Sequence, residues 1–129
     1  MSVYKIFESQ KSFDEAVTAL EQAVVDNGFS VLHVHNLTEK LNSKGLDFSP
    51  QVRVFEVCNP AQAYKVLSTD IKVNMALPCR ISVWEENGAV KIGYVRPEPT
   101  LHMISEETSL VPVAQEVESV LDKIVEAAR

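Results

Sequence analysis

The chain has 129 residues, of which 46% are hydrophobic and 23% charged, so we expect one globular domain, residues 1–129, and not a disordered chain. The formal net charge of −6, without a cluster of Lys or Arg, disfavours nucleic-acid binding. The apolar runs are far shorter than the about 20 residues that cross a bilayer, which disfavours a membrane protein.

The first part of the chain predicts a strand followed by a helix. Residues 3–8 are rich in β-forming side chains. Ser12 and Glu15 have the spacing of a capping box, in which each side chain accepts a hydrogen bond from the other residue's backbone amide. Apolar residues then recur at helical spacing as far as Val24, and Gly28 supplies a left-handed exit from the helix.

Residues 29–35 predict a second strand, whose alternation would place Val31, His33 and His35 on one face. Segment 36–50 then predicts a short helical turn and a loop that contains Lys44. This loop is the best candidate for a mobile segment.

Residues 52–58 predict a third strand, which ends at Cys58. Asn59 is a favourable N-cap, and Pro60 suits the first helical position because no amide hydrogen is needed there. A second helix should therefore run from Pro60 to about residue 68.

Two strands joined by a tight turn follow, over residues 77–86 and 89–96. Both ranges are rich in β-branched and aromatic side chains. The Asn87-Gly88 pair between them is typical of a β-hairpin with a type I′ turn.

The C-terminal part predicts an irregular segment and a last helix. Pro97 and Pro99 lie so close together that we expect residues 96–100 to be extended or turning, and not helical. From residue 109 to 128 apolar residues recur at helical spacing, with carboxylates on the opposite side. This helix should close the core.

The predicted order of elements is β-α-β-β-α-β-β-α. Such an order favours an α+β fold, in which helices pack on one face of a mainly antiparallel five-stranded sheet. Phe55 and Val57 lie on one side of their strand and Val54 on the other, so both faces of the sheet carry apolar residues. A second subunit would cover the other face, which predicts a homodimer.

The two cysteines, Cys58 and Cys79, flank proline-containing ends of regular structure. Segment 1–6 lacks the basic start and apolar core of a signal peptide, so we expect a cytoplasmic protein with reduced thiols. A thiol at a helix start or beside Arg80 can have a lowered pKa and act as a nucleophile or redox group. The alternative is that both cysteines are small buried hydrophobic residues.

Two other sites are conceivable from the residue types. His33 and His35 share a strand face and could bind a metal ion together with the two cysteines, although the spacing is unlike that of structural zinc sites. Asn59 and the first-turn amides of its helix could bind an anion, with Lys44 or Arg80 supplying positive charge.

Four segments of the chain resemble a known family. They are Gly28-Phe29 at a strand start, Lys44-Gly45 in the next loop, Val57-Cys58-Asn59-Pro60-Ala61 at a helix start and Leu77-Pro78-Cys79 at a strand start. Together they resemble the domain of unknown function 302 (DUF302) family over nearly the whole chain. The resemblance implies an α+β fold similar to the TATA-binding-protein-like sheet and no established activity.

These observations lead to a ranked expectation of function. The first is a dimeric ligand-binding or interaction module with a pocket near Cys58, Asn59, Cys79 and Arg80, which would take a small anionic or apolar ligand. The second is a thiol-dependent enzyme or redox protein that uses Cys79 or Cys58. The sequence indicates no cofactor, and it leaves open whether the protein is an enzyme.

Overall fold

The structure is a computed structural model that describes residues 2–129; Met1, with which the predicted domain 1–129 begins, lies outside the described residues. Its centre is a five-stranded antiparallel sheet, in which the strands lie in the order β1-β5-β4-β3-β2. The strands are β1 (Tyr4–Ser9), β2 (Ser30–Asn36), β3 (Val52–Cys58), β4 (Cys79–Glu86) and β5 (Ala89–Val95). The predicted α+β class and antiparallel sheet are confirmed.

The described part of the chain also contains five α-helices and one 3-10 helix. The α-helices are α1 (Phe13–Asp26), α2 (Leu37–Ser43), α3 (Pro60–Thr69), α4 (Pro97–Ile104) and α5 (Leu110–Ala128). The 3-10 helix, Ile71–Ala76, connects α3 to β4. Three of these α-helices match the predicted helices and α2 matches the predicted short helical turn, whereas α4 was not predicted.

The local signals in the sequence form as predicted. Ser12 Oγ accepts a hydrogen bond from the Glu15 amide at 3.2 Å, and Glu15 Oε1 accepts one from the Ser12 amide at 3.1 Å, which completes the capping box of α1. In the β4-β5 hairpin, Asn87 and Gly88 both have positive φ angles, 53° and 80°, as a type I′ turn requires.

One face of the sheet carries the main hydrophobic core, under α1 and α5. Directly paired residues of neighbouring strands share a face, so the register places Phe55, Ile81 and Tyr94 side by side beneath the helices. All three are at most 4% exposed. The central strands therefore bury their side chains on this face almost completely.

The second face of the sheet is here called the open face, because no helix among residues 2–129 packs over it as α1 and α5 pack over the first. It carries the alternate residues Tyr4, Ile6, Glu8, Ala89, Lys91, Gly93, Val95, Arg80, Ser82, Trp84, Glu86, Val52, Val54, Glu56, His33 and His35. The prediction that Val31 shares a face with His33 and His35 is wrong. The pairing of β2 with β3 shifts between Val31 and His33, and this β-bulge turns Val31 toward the helices while the histidines stay on the open face.

The prediction that residues 96–100 are extended or turning is also wrong, because α4 begins at Pro97. Pro97 and Pro99 occupy the first turn of this helix, where the backbone amides have no partner within the helix, so a proline costs no hydrogen bond there. Leu101 follows on the inner side and is only 6% exposed. Proline spacing alone does not separate a helix start from an irregular segment.

A second, smaller hydrophobic core lies between α3, the 3-10 helix, α4 and the start of α5. Its buried members are Val66, Val73, Leu101, Leu110 and Ala114. A hydrogen bond of 2.5 Å from Ser105 Oγ to Asp70 Oδ2 joins the end of α4 to the start of the 3-10 helix. No helix among residues 2–129 is both long and apolar enough to cross a membrane.

Candidate functional site

A cavity of about 660 Å³ lies between the two hydrophobic cores. Its floor includes Phe29, Val57 and Val117 of the main core, and its far wall includes Val66 and Leu101 of the smaller core. The cavity is at the end of the sheet where β2 and β4 begin and where β3 and β5 end. It exists because α3, the 3-10 helix and α4 form their own core and do not pack down onto the strands.

Cys58, Asn59, Cys79 and Arg80 all line this one cavity. The register explains their convergence, since Val57 pairs with Cys79 and the two cysteines therefore lie on adjacent strands at the same sheet end. Asn59 follows Cys58 and caps α3, where its Oδ1 accepts hydrogen bonds from the amides of residues 61 and 62. The tertiary structure thus brings together four residues that are up to 22 positions apart in the sequence.

The wall of the cavity is mainly apolar. Apolar residues of this wall come from six elements and one connecting segment: Leu32, Ala63, Leu67, Met75, Ala76, Leu77, Pro78, Val95, Pro97 and Ala114. Few polar side chains interrupt it, and one of them, Gln62, has a buried Oε1 that accepts no hydrogen bond from residues 2–129. Such a wall suits an apolar ligand that also carries a small number of polar groups.

Both thiols are less acidic than an ordinary cysteine. Burial raises the pKa of Cys79 to about 11, and the neighbouring Cys58 adds to the increase because two thiolates would repel each other. Burial also raises the pKa of Cys58. Arg80 is next to Cys79 in the sequence, but on a strand successive side chains point to opposite faces, so the guanidinium does not acidify the thiol. Both cysteines are neutral thiols at neutral pH.

Arg80 reaches the cavity from the open face, where it is opposite Glu56 on β3. Its Nη2 lies 3.5 Å from Glu56 Oε2, and its side chain is 63% exposed. A charge-assisted hydrogen bond is usually about 2.7–2.9 Å long, so this pair is loose and solvated. The guanidinium is at the rim of the cavity and interacts only weakly with Glu56.

Lys44, the other cation suggested by the sequence, is not in the cavity wall. It caps the C-terminus of α2, which is attached to the start of β3 through a 2.8 Å hydrogen bond from the Val52 amide to Thr38 Oγ1. Cys58 is at the other end of β3, and six residues of a strand span roughly 20 Å. Lys44 and the cavity are therefore at opposite ends of the sheet.

His33 and His35 lie side by side on the open face, with ring centroids 4.4 Å apart. Nε2 of His35 is 3.4 Å from Glu56 Oε2. Among residues 2–129, no three side chains of His, Cys, Asp or Glu gather as metal ligands would. The structure does not assemble the four-ligand set of His33, His35, Cys58 and Cys79.

Several residues of the wall could not be found from the sequence. Thr100, Leu101 and Ala114 come from α4 and α5, and they reach the cavity only because α4 folds back over the sheet end. Leu101 and Ala114 match ordinary helical core positions, and no motif marks any of the three. The local features that pointed to this region were the helix start at Cys58-Asn59-Pro60 and the strand start at Pro78-Cys79-Arg80.

The chain is similar to other proteins over almost all of its length. The family model described as "Domain of unknown function DUF302" matches residues 5–128. An "Uncharacterized protein" of Aquifex aeolicus (strain VF5) is 31% identical over 117 residues, which are 90% of this chain and 74% of that protein. The crystal structure of an uncharacterized conserved DUF302 protein from Bacillus stearothermophilus has a TM-score of 0.94 and 33% identity, and the match covers 100% of both chains.

Proposed function

The chain belongs to the DUF302 family, a family described only as a domain of unknown function, and we propose that it is a binding module for a small, mainly apolar ligand. The ligand would occupy the cavity at the end of the sheet. The observation that carries this proposal is the convergence of Cys58, Asn59, Cys79 and Arg80 on one cavity with an otherwise mainly apolar wall.

The size and chemistry of the cavity support binding more than catalysis. Ligand sites in proteins are typically concave and about 300–1,000 Å³ in volume, with a mainly apolar wall and a few placed polar groups, and a cavity of about 660 Å³ is within that range. The alternative, a thiol-dependent enzyme or redox protein, has in its favour that both cysteines face one cavity. The raised pKa of Cys79 and of Cys58 opposes it, because the thiolate is the reactive form.

The test is binding of the neutral fluorescent dye N-phenyl-1-naphthylamine, with variants that fill the cavity. Ala63 is a half-buried helical residue in the cavity wall, and Ala19 is a half-buried helical residue that packs against the main core elsewhere. We expect Ala63→Phe to weaken dye binding at least tenfold and Ala19→Phe to leave it within twofold, with thermal denaturation checking that both variants fold. Equal dye binding by the wild type and Ala63→Phe would place the dye outside the cavity and refute the proposal.

We also propose that the protein is a homodimer whose two copies meet through the β1 and β5 part of their open faces, which leaves Arg80 of β4 outside the interface. Tyr4, Ile6 and Val95 form an apolar patch there, and they are 54%, 48% and 58% exposed. The charged residues of this face are three acidic and two basic side chains, so the face is nearly neutral although the chain carries −6. Two identical acidic proteins repel each other least when they meet through a nearly neutral face. In an isologous dimer, the apolar patch of each copy is buried against the other copy.

Sedimentation equilibrium tests the dimer with matched isoleucines. Ile6→Glu changes the open face, whereas Ile71→Glu changes an isoleucine that is 69% exposed in the 3-10 helix, away from that face. We expect a wild-type dimer at micromolar concentration, a monomeric Ile6→Glu variant and a dimeric Ile71→Glu variant. A wild-type monomer under these conditions would contradict the proposal.

Three other expectations stay predictions. The family resemblance implies the likeness of the sheet to a TATA-binding-protein-like fold, and the sequence predicts the cytoplasmic location and the lack of nucleic-acid binding. Fold likeness to a DNA-binding sheet would carry no function by itself, and the acidic charge of −6 opposes contact with phosphate groups.

A further inference from the structure

We infer that the ligand of the cavity is an amphiphile with one anionic head group, which Arg80 binds at the rim while the apolar body enters the cavity. This inference rests on the proposed binding function and adds the chemical class of the ligand. Among the described residues that line the cavity, Arg80 alone carries a charge.

The environment of Arg80 leaves it able to bind an anion. Its Nη2 lies 3.5 Å from Glu56 Oε2, and its other guanidinium nitrogens donate to no side chain or backbone group among residues 2–129. A planar guanidinium presents paired donors that match the two oxygens of a carboxylate. A ligand carboxylate at the rim can therefore form the close bidentate contact that Glu56 does not form.

The rest of the wall excludes a second charge on the ligand. Apart from Arg80, the polar side chains of the wall are the neutral Asn59, Gln62, Asn74 and Thr100, together with the two cysteines. The Cys79 thiol is neutral at physiological pH, so it neither repels an anionic head nor neutralises a cation. A second ionised group inside the cavity would lose its hydration without gaining a partner of opposite charge, which is strongly unfavourable.

Asn59 can orient the ligand along the cavity. Its Oδ1 is used by the α3 cap, while its Nδ2 donates to no group among residues 2–129. The register places Arg80 opposite Glu56. Asn59 follows Glu56 by three residues, so Arg80 and Asn59 are separated by roughly 10 Å along the strand direction. Asn59 therefore lies away from the head group and suits a neutral acceptor further along the ligand.

The cavity also limits the size of the ligand. At the about 30 Å³ that a molecule of liquid water occupies, a volume of about 660 Å³ holds on the order of 20 non-hydrogen atoms. A medium-length fatty carboxylate or an aromatic carboxylic acid fits this limit. A nucleotide or a peptide with several charges does not fit the single cation.

The experiment compares decanoate with decanol, which have chains of the same length but differ in charge, as competitors of N-phenyl-1-naphthylamine at pH 8. Each affinity is corrected for the partitioning of the ligand, ionised decanoate or neutral decanol, from water into an apolar solvent. After this correction, we expect decanoate to bind the wild type at least tenfold more tightly than decanol. Arg80→Met should weaken decanoate at least tenfold and change decanol less than twofold. Lys44→Met, which removes an exposed cation at the other end of the sheet, should change neither.

A second variant, Glu56→Gln, should change decanoate binding in the direction opposite to Arg80→Met. It removes the carboxylate that competes with the ligand for Arg80, so decanoate binding should tighten about threefold or more while decanol binding stays the same. If Arg80→Met and Glu56→Gln both leave the binding of decanoate unchanged, the inferred ligand class is wrong, while dye binding that Ala63→Phe abolishes still supports the cavity as a site. If the dye does not bind the wild type, the proposed function itself fails, and this inference fails with it.

Discussion

The reactivity of Cys79 separates a binding module from a thiol enzyme most directly. The variant Cys58→Ala leaves Cys79 as the one thiol of the chain and keeps the cavity wall apolar. Burial is the main cause of the raised pKa of Cys79, and the repulsion from Cys58 is secondary. The variant should therefore keep a pKa well above the ordinary value of 9.0.

The expected rate follows from the thiolate fraction. At pH 8 a thiol with the ordinary pKa of 9.0 is about one tenth thiolate, whereas with a pKa of about 11 it is about one thousandth thiolate. The more basic thiolate is the better nucleophile, and a Brønsted coefficient of about 0.4–0.5 restores roughly tenfold of this hundredfold loss. Alkylation of Cys79 should thus be about ten times slower than that of an unfolded cysteine peptide, and limited access to the buried sulfur slows it further.

The assay is iodoacetamide labelling between pH 7 and 10, followed by mass spectrometry. The rate for Cys58→Ala should rise about tenfold for each pH unit without a plateau, because the thiol does not titrate in this range. The matched variant Cys79→Ala reports on Cys58, which lies nearer to solvent and should react faster. The labelled protein after denaturation gives the reference rate of an accessible thiol.

A plateau below pH 8.5 for Cys79, or a rate equal to that of the denatured protein, would refute the argument from burial. Such a result would favour the alternative of a thiol-dependent enzyme or redox protein. Slow labelling that becomes slower still when decanoate is added would instead connect the thiol to an occupied cavity.

Three further predictions concern the frame around the site. Gly93→Ala should lower the free energy of unfolding by denaturant by about 1–3 kcal/mol, because the new Cβ would lie 2.8 Å from the carbonyl oxygen of Lys5 on the neighbouring strand. An unchanged unfolding midpoint would show that β1 moves aside freely. Glu118→Gln should cost about 2–4 kcal/mol in the same assay, because the largely buried Arg96, which is 3.0 Å from the Glu118 carboxylate, would lose its counter-charge. The control is Glu116→Gln, on the exposed side of α5. Burial would raise the pKa of Asp122, but hydrogen bonds from Lys5 and Tyr94 outweigh burial and lower this pKa. The ionised carboxylate therefore stabilises the fold above the ordinary pKa of 3.8, and this stabilisation is lost as the pH falls below it. Asp122→Asn should therefore lose less thermal stability than the wild type between pH 6 and pH 3, and equal losses would contradict the lowered pKa.

The sequence alone determined the elements that depend on neighbouring residues. A capping box needs only Ser12 and Glu15, and a type I′ turn needs only residues that accept positive φ at 87 and 88, so both could be predicted from a few consecutive positions. The alternation of Phe55 and Val57 with Val54 likewise predicted that both faces of the sheet carry apolar residues. Asn59 belongs with these, because a helix cap is a local structure.

The tertiary structure decided everything that depends on which segments meet. Only the register of β3 with β4 brings Cys58 next to Cys79, and only the separate packing of α3 and α4 leaves a cavity above them. Lys44 was grouped with these residues by chemistry, but it lies at the far end of the same sheet. Local hydrogen bonds and side-chain periodicity are readable in one stretch of chain, whereas a pocket is the space that remains after distant stretches have packed against each other.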